Sequence, residues 1–124
     1  MFKARLCTKF HFESAHFMPN YPEGHPNRAF HGHSFTGEVV IEAPVDLSTG
    51  MVMEHETLDR RVKEIVGLLD HRLLNDVPGL ELPTSEFITK WIFERLKPNV
   101  RGLKEVSLAR ETVGIKVTYS EEMQ

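Results

Sequence analysis

The segment GHPNRAFHGHSF, residues 24–35, concentrates the side chains best suited to chemistry. His31 and His33 flank a single glycine, Gly32. Side chains alternate faces along an extended chain, so both imidazoles project the same way with Cα atoms about 7 Å apart, close enough to converge on one ion. His16 ends an earlier Phe-rich stretch. If the two stretches pair as a hairpin around the loop between them, the three imidazoles meet at one strand mouth. Neutral imidazoles with one position left open are the arrangement that catalytic zinc favours, because water or substrate takes the remaining place. The alternative is a set of ordinary polar residues at a strand end. His25, in the adjoining loop, is a candidate substrate contact. His11 has the opposite strand parity to His16 and His55 stands at a helix start, so both are expected at the surface.

Two further candidates involve carboxylates. In LLDHRLLND, Asp70 and His71 place an acid beside a base that titrates near neutral pH, at the expected end of a helix. A histidine there is also explained by attraction to the carbonyl end of the helix dipole. Adjacent helical residues point about 100° apart, so the pair acts as a unit only on an irregular backbone. In ARETVG, Glu111 stands where a strand turns, and a carboxylate there can accept paired hydrogen bonds from a flat donor edge such as an aminopyrimidine. A solvated turn residue is the plainer reading of Glu111 taken alone.

These groups need elements to position them. The periodicity predicts a strand over 2–16, an irregular loop over 17–30 that is rich in Pro and Gly, and a strand over 31–43. After Ser48–Gly50 a helix of about four turns is expected, burying Leu58, Val62, Ile65, Val66 and Leu69 and exposing Glu56, Arg60 and Glu64. Thr84 reads as the cap of a second helix that buries Phe87, Ile88, Trp91, Ile92 and Leu96 and stops at Pro98. The tail reads as a hairpin, with Val106 and Leu108 on one arm and Val113, Ile115, Val117 and Tyr119 on the other. The order is strand, strand, helix, helix, strand, strand. That is an α+β domain spanning 1–124, with both helices on one face of a four-stranded antiparallel sheet.

Composition narrows the function classes. The chain has 124 residues, 40% hydrophobic and 27% charged, the balance of a single globular domain. A formal net charge of −3 leaves no basic surplus for nucleic acid. No apolar run reaches the length of a membrane span, and the first residues lack the apolar block of a signal peptide, so a cytoplasmic protein is expected. The single cysteine, Cys7, cannot form an internal disulfide.

Taken together, FESAH, HGHSF, LDHRLLND, PTSEFITKWI and RET resemble, in order and spacing, the 6-pyruvoyl-tetrahydropterin and 6-carboxy-tetrahydropterin synthase family. The likeness runs from about Phe10 to Tyr119. PEGH and LNDVPGLELPTSE look closer to the bacterial 6-carboxy branch, which feeds 7-deazapurine and queuosine synthesis. The resemblance implies the tunnelling fold, in which trimers close a barrel and two trimers stack into a hexamer. It implies zinc (Zn2+) on His16, His31 and His33, Glu111 as the anchor of the pterin ring, and Thr84 and Ser85 in a pterin pocket completed by a neighbouring subunit. Asp70 and His71 would form the proton relay. The implied substrate is 7,8-dihydroneopterin triphosphate, whose triphosphate is eliminated and, in the 6-carboxy branch, whose side chain is cleaved.

One position departs from that pattern. The family's base is a cysteine four residues before the first histidine of His-Gly-His, and here that address holds Asn27. An amide cannot act as a general base at neutral pH. Cys7 lies on the opposite strand face to His16, and Glu23, the nearest loop acid, is out of register. The base of a 6-carboxy-type enzyme would then be His71, Glu23 or zinc-activated water. Different side-chain chemistry, giving a 6-pyruvoyl or 6-hydroxymethyl product, is a second reading, and a non-catalytic pterin- and zinc-binding paralogue a third. Lys3, Arg28 and Lys116 are basic candidates for holding the triphosphate.

Overall fold

The computed structural model describes residues 1–123. Two long strands form its frame. β1 (Lys3–His16) and β2 (His31–Pro44) pair antiparallel over their whole length, from Lys3 opposite Pro44 to His16 opposite His31. β3 (Leu103–Arg110) adds to β2, and β4 (Ile115–Ser120) adds to β3, giving the sheet order β1-β2-β3-β4. Strand alternation then divides the faces. Phe10, Phe12, Ser14 and His16 of β1 are buried while Lys9, His11 and Glu13 between them are exposed. The same buried face carries Phe35, Val39 and Ile41 from β2 and Val106 and Leu108 from β3.

Both helices cover that face. α1 (His55–Val66) packs on β1, and α2 (Ser85–Leu96) packs on β3 and β4. Leu58 and Val62 from α1 and Ile88, Ile92 and Phe93 from α2 close one core with the sheet residues. Side chains start both helices: Glu54 accepts from the Thr57 amide at 2.7 Å, and Thr84 Oγ1 accepts from the Phe87 amide at 3.1 Å. Such a cap stabilises a helix by about 1 kcal/mol. The β3–β4 hairpin closes through a turn at Glu111–Val113 and Gly114, whose φ of 71° is the left-handed conformation that a residue without Cβ adopts freely.

Three details differ from expectation. α1 stops at Val66, one turn early, because Leu69 reaches the core from the following turn and remains fully buried there. Asp70 and His71 therefore lie beyond the helix and not at its end. In α2, Phe87 is 48% exposed, and Thr89 and Phe93 are buried instead; the buried stripe runs along the row that faces β3 and β4. Val113 falls in the turn ahead of β4 and is exposed, as is Ile115, because β4 is an edge strand in a single chain. Among the described residues, no helix is long and apolar enough to cross a membrane.

Candidate active site

The full pairing of β1 with β2 brings His16 opposite His31, and His33 lies one strand repeat further along the same face. Ring centroids are 4.6 Å apart for His16 and His31 and 5.0 Å for each ring with His33. One potential ligand atom from each residue lies within 4.8 Å of the others. Two rings are oriented by main-chain carbonyls: His16 Nδ1 is 2.9 Å from the Pro83 oxygen, and His31 Nδ1 is 2.7 Å from the Ala29 oxygen. With Nδ1 carrying the proton, each of these rings keeps Nε2 free as a lone-pair donor. His16 Nε2 is buried and has no partner, an arrangement that fits a metal ion and is otherwise costly. Burial lowers the His16 pKa below the ordinary value, opposed in part by the Pro83 carbonyl. Burial, together with the Arg110 cation and the neighbouring rings, brings His33 down to about 4. Both rings are thus neutral near pH 7, the form that binds metal.

A second set of contacts fixes the end of β1. Asn75 brackets the residue after His16, accepting from the Phe17 amide at 3.0 Å and donating to the Phe17 carbonyl at 2.8 Å. Ala15 donates its amide to the Arg72 carbonyl at 3.0 Å, and the His71 amide donates to the Glu13 carbonyl at 2.6 Å. Segment 70–75 therefore lies along the outer edge of β1 where the histidines converge.

Within that segment, His71 has φ 57°, the irregular backbone that an Asp-His pair requires. Its Nδ1 lies 2.9 Å from Asp70 Oδ2, while Asp70 Oδ1 accepts from the Glu13 amide at 2.9 Å. The Glu13 amide, followed by His71, holds the Asp70 carboxyl below its usual pKa. The His71 side chain is 79% exposed and borders a groove of about 580 Å³ that His33 also lines.

On the other side of the histidines a cleft of about 210 Å³ is lined by His16, His31, Asn27, Thr84, Ser85 and Arg110. Asn27 occupies it because its main chain is tied down. Its carbonyl accepts from the Met18 amide at 2.7 Å, and its amide donates to His25 Nδ1 at 3.0 Å. His25 stacks on Tyr21 with centroids 4.3 Å apart and does not itself line the cleft. Glu111 is also elsewhere. It is exposed and lines a separate groove of about 600 Å³ with Lys9, His11, Glu38 and Lys116. A single chain thus brings together His16, His31, His33, Asn27, Thr84 and Ser85, sets Asp70 and His71 across His33 from them, and leaves Glu111 apart. Cys7 and Glu23 are exposed and line neither space.

Arg110 and Glu86 are charged residues of the cleft that sequence reasoning passed over as site candidates. Arg110 Nη1 is 3.2 Å from His33 Nε2, and its Nε is buried without a partner. A signal existed: Arg110 continues the row of Val106 and Leu108, so a cation stands where alternation calls for an apolar side chain.

Known proteins share this fold and much of this sequence. The family described as 6-pyruvoyl tetrahydropterin synthase matches residues 5–122. A 6-carboxy-5,6,7,8-tetrahydropterin synthase of Synechocystis is 42% identical over 83% of this chain and 83% of its own. A dihydroneopterin monophosphate aldolase of Pyrococcus furiosus is 37% identical over 86% of this chain and 89% of its own. Among solved structures, the 6-pyruvoyl tetrahydropterin synthase of Caenorhabditis elegans superposes with a TM-score of 0.86 at 24% identity, covering 97% of this chain and 96% of that one. Sheet order, helix placement and sequence similarity across nearly the whole chain lead to one conclusion: the protein belongs to the 6-pyruvoyl tetrahydropterin synthase family.

Proposed function

We propose that the protein is a zinc-dependent lyase of the 6-carboxy-tetrahydropterin synthase type, acting on 7,8-dihydroneopterin triphosphate in 7-deazapurine synthesis. The observation that carries the reading is the convergence of His16, His31 and His33, with His16 and His31 on the wall of the cleft and His16 Nε2 buried and unpartnered. Family membership and the Synechocystis relative support the pterin substrate class. Zinc held by these rings would polarise the side-chain hydroxyls of the substrate and ease loss of the adjacent proton.

The chain's own residues would supply the rest. The carbonyls of Pro83 and Ala29 keep the His16 and His31 rings in register. Thr84 and Ser85, at the start of α2, offer hydroxyls to the bound pterin. Asp70 holds His71 Nδ1, which leaves His71 Nε2 to accept or return a proton. Asn27 sits in the cleft as a hydrogen-bonding amide, so proton abstraction falls to the Asp70–His71 pair. Glu111, which lines a separate groove within one chain, anchors the pterin ring in this reading, and a neighbouring copy would complete the pocket. The edge of β1 ahead of Glu13 and the edge of β4 suit that role, since pairing them between chains would close a barrel, and two such trimers would stack as the hexamer.

Asn27 in place of a thiol, with an aldolase among the relatives, favours a second reading: retro-aldol cleavage of a phosphorylated dihydroneopterin to a 6-hydroxymethyl product. Incubating the zinc-loaded protein with dihydroneopterin triphosphate and identifying the products by mass spectrometry separates the two. The 6-carboxy product from the natural protein, lost in His71→Ala, supports the first reading. A 6-hydroxymethyl product supports the second. Activity that appears only in Asn27→Cys contradicts the first.

A further inference from the structure

Resting on the pterin reading, we propose that Arg110 is the residue that binds the substrate's phosphate ester, so that the cleft selects phosphorylated over unphosphorylated pterins. Arg110 closes β3 opposite Ile115 and turns its side chain into the cleft beside Asn27, Thr84 and Ser85. Its Nη1 stands 3.2 Å from His33 Nε2, so the guanidinium touches the rim of the candidate metal cluster. Its Nε is buried without a partner, and among the described residues no carboxylate forms an ion pair with it. A partly buried guanidinium with an idle donor is expensive unless an anion meets it. A dication on the three imidazoles would increase that demand, because like charges held close together repel and an anion between them relieves the repulsion.

The substrate's connectivity places such an anion at this point. In dihydroneopterin phosphates the phosphate ester sits on the terminal carbon of the side chain, next to the carbinol that the metal would hold. A phosphate there lies within reach of a guanidinium at the cluster's edge, and the planar fork of Arg matches two phosphate oxygens. Arg72 borders the neighbouring groove of His33 and His71 and not the cleft, and the basic residues named from the sequence lie elsewhere. Lys3 is at the far end of β1, Lys116 stands 3.9 Å from Glu38 in the groove of Glu111, and Arg28 donates to the Tyr21 carbonyl at 2.9 Å.

The two candidate reactions use this contact differently. In elimination, the bond between the terminal carbon and the ester oxygen breaks, the electron pair leaves on the phosphate, and the neighbouring carbon gives its proton to the base. No oxidant or reductant takes part. Arg110 then meets charge that grows during the reaction and affects kcat as well as binding. In retro-aldol cleavage the phosphate stays on the departing two-carbon fragment, and Arg110 contributes to binding alone.

The test compares zinc-loaded natural protein, Arg110→Ala and Arg110→Lys by equilibrium titration with dihydroneopterin, dihydroneopterin triphosphate and inorganic tripolyphosphate, with zinc content measured in each. The expected result is unchanged zinc content and unchanged dihydroneopterin affinity in Arg110→Ala, with triphosphate and tripolyphosphate binding weakened roughly 10- to 100-fold, the range for a charge-assisted hydrogen-bonded contact. Arg110→Lys should recover part of the loss. Equal weakening of dihydroneopterin and its triphosphate, or no weakening of either phosphorylated probe, overturns the assignment. Natural protein that binds neither pterin refutes the pterin reading instead, and tripolyphosphate then judges Arg110 alone: loss of its binding in Arg110→Ala upholds the anion site, and undiminished binding overturns it.

Discussion

Asn75 makes no contact with the cleft, yet replacing it with alanine should weaken both the fold and the metal centre. Its side chain brackets the Phe17 main chain with two hydrogen bonds, of 3.0 and 2.8 Å, in a half-buried setting. Each such bond contributes about 0.5–1.5 kcal/mol, so Asn75→Ala should cost about 1–3 kcal/mol. In a domain of this size that lowers Tm by roughly 3–12 °C. The end of β1 would then be held there mainly by the Ala15 amide on Arg72 and the His71 amide on Glu13. His16, adjacent to the freed Phe17, would lose its fixed orientation toward Pro83, and zinc affinity should fall roughly 10- to 100-fold, as for other groups that support a ligand. Urea denaturation and competitive zinc titration of the same preparation measure the two effects. Asn75→Asp keeps an acceptor for the Phe17 amide but sets a carboxylate against the Phe17 carbonyl, and should fall no closer to the natural protein than the alanine variant. A Tm within about one degree of the natural protein together with unchanged zinc affinity would refute the idea that segment 70–75 positions His16.

Phe35 is fully buried, stacks on Phe12 at 4.8 Å and meets the edges of the His16 and His33 rings, so Phe35→Ala should cost about 3–5 kcal/mol in denaturant titrations and weaken zinc binding as well. His71 holds a left-handed φ of 57°, so His71→Gly should be more stable than His71→Ala by about 1 kcal/mol, while both lose roughly 100- to 10,000-fold in turnover; equal stabilities would show that the conformation carries no strain. Without metal, stability should depend on pH through the lowered histidines. His33 ionises at about 4 in the folded chain and near 6.5 when unfolded, so between these values the unfolded chain holds the extra proton. Stability is therefore fully present above 6.5 and declines as pH falls toward 4, by about 1–2 kcal/mol for this half-exposed ring after allowance for solvent screening. Denaturant titrations of chelator-treated protein across that window check the slope, and a flat profile would contradict it.

The parts of this molecule written in short-range periodicity were legible in the chain itself. The two-residue repeat through His31 and His33 placed both rings on one face, and strand pairing carried His16 to them. The cap at Thr84 and a chain turn at Glu111 followed from local chemistry in the same way, whereas Val113, expected on the strand, lies in that turn. Tertiary contacts decided what was missed. The amphipathic pattern ran on to Leu69, which the core buries from a turn, so the helix was read as too long. Phe87 has the spacing of a core residue, but the packing of α2 on β3 and β4 leaves that row open. Asn75 gave no signal, because its role depends on a loop meeting a strand end 58 residues away. Arg110 was visible as a break in alternation but was overlooked beside Glu111. Glu111 itself lines a separate groove from the histidines within one chain.

The central claim is that His16, His31 and His33 form one metal site. Elemental analysis of the purified protein alongside the His31→Ala/His33→Ala double variant tests it directly, with X-ray absorption at the zinc edge reporting the donor atoms. The account predicts near-stoichiometric zinc bound through imidazole nitrogens at about 2.0–2.1 Å, absent from the double variant while the fold persists. A natural protein free of transition metal, or a double variant that retains it, would contradict the account.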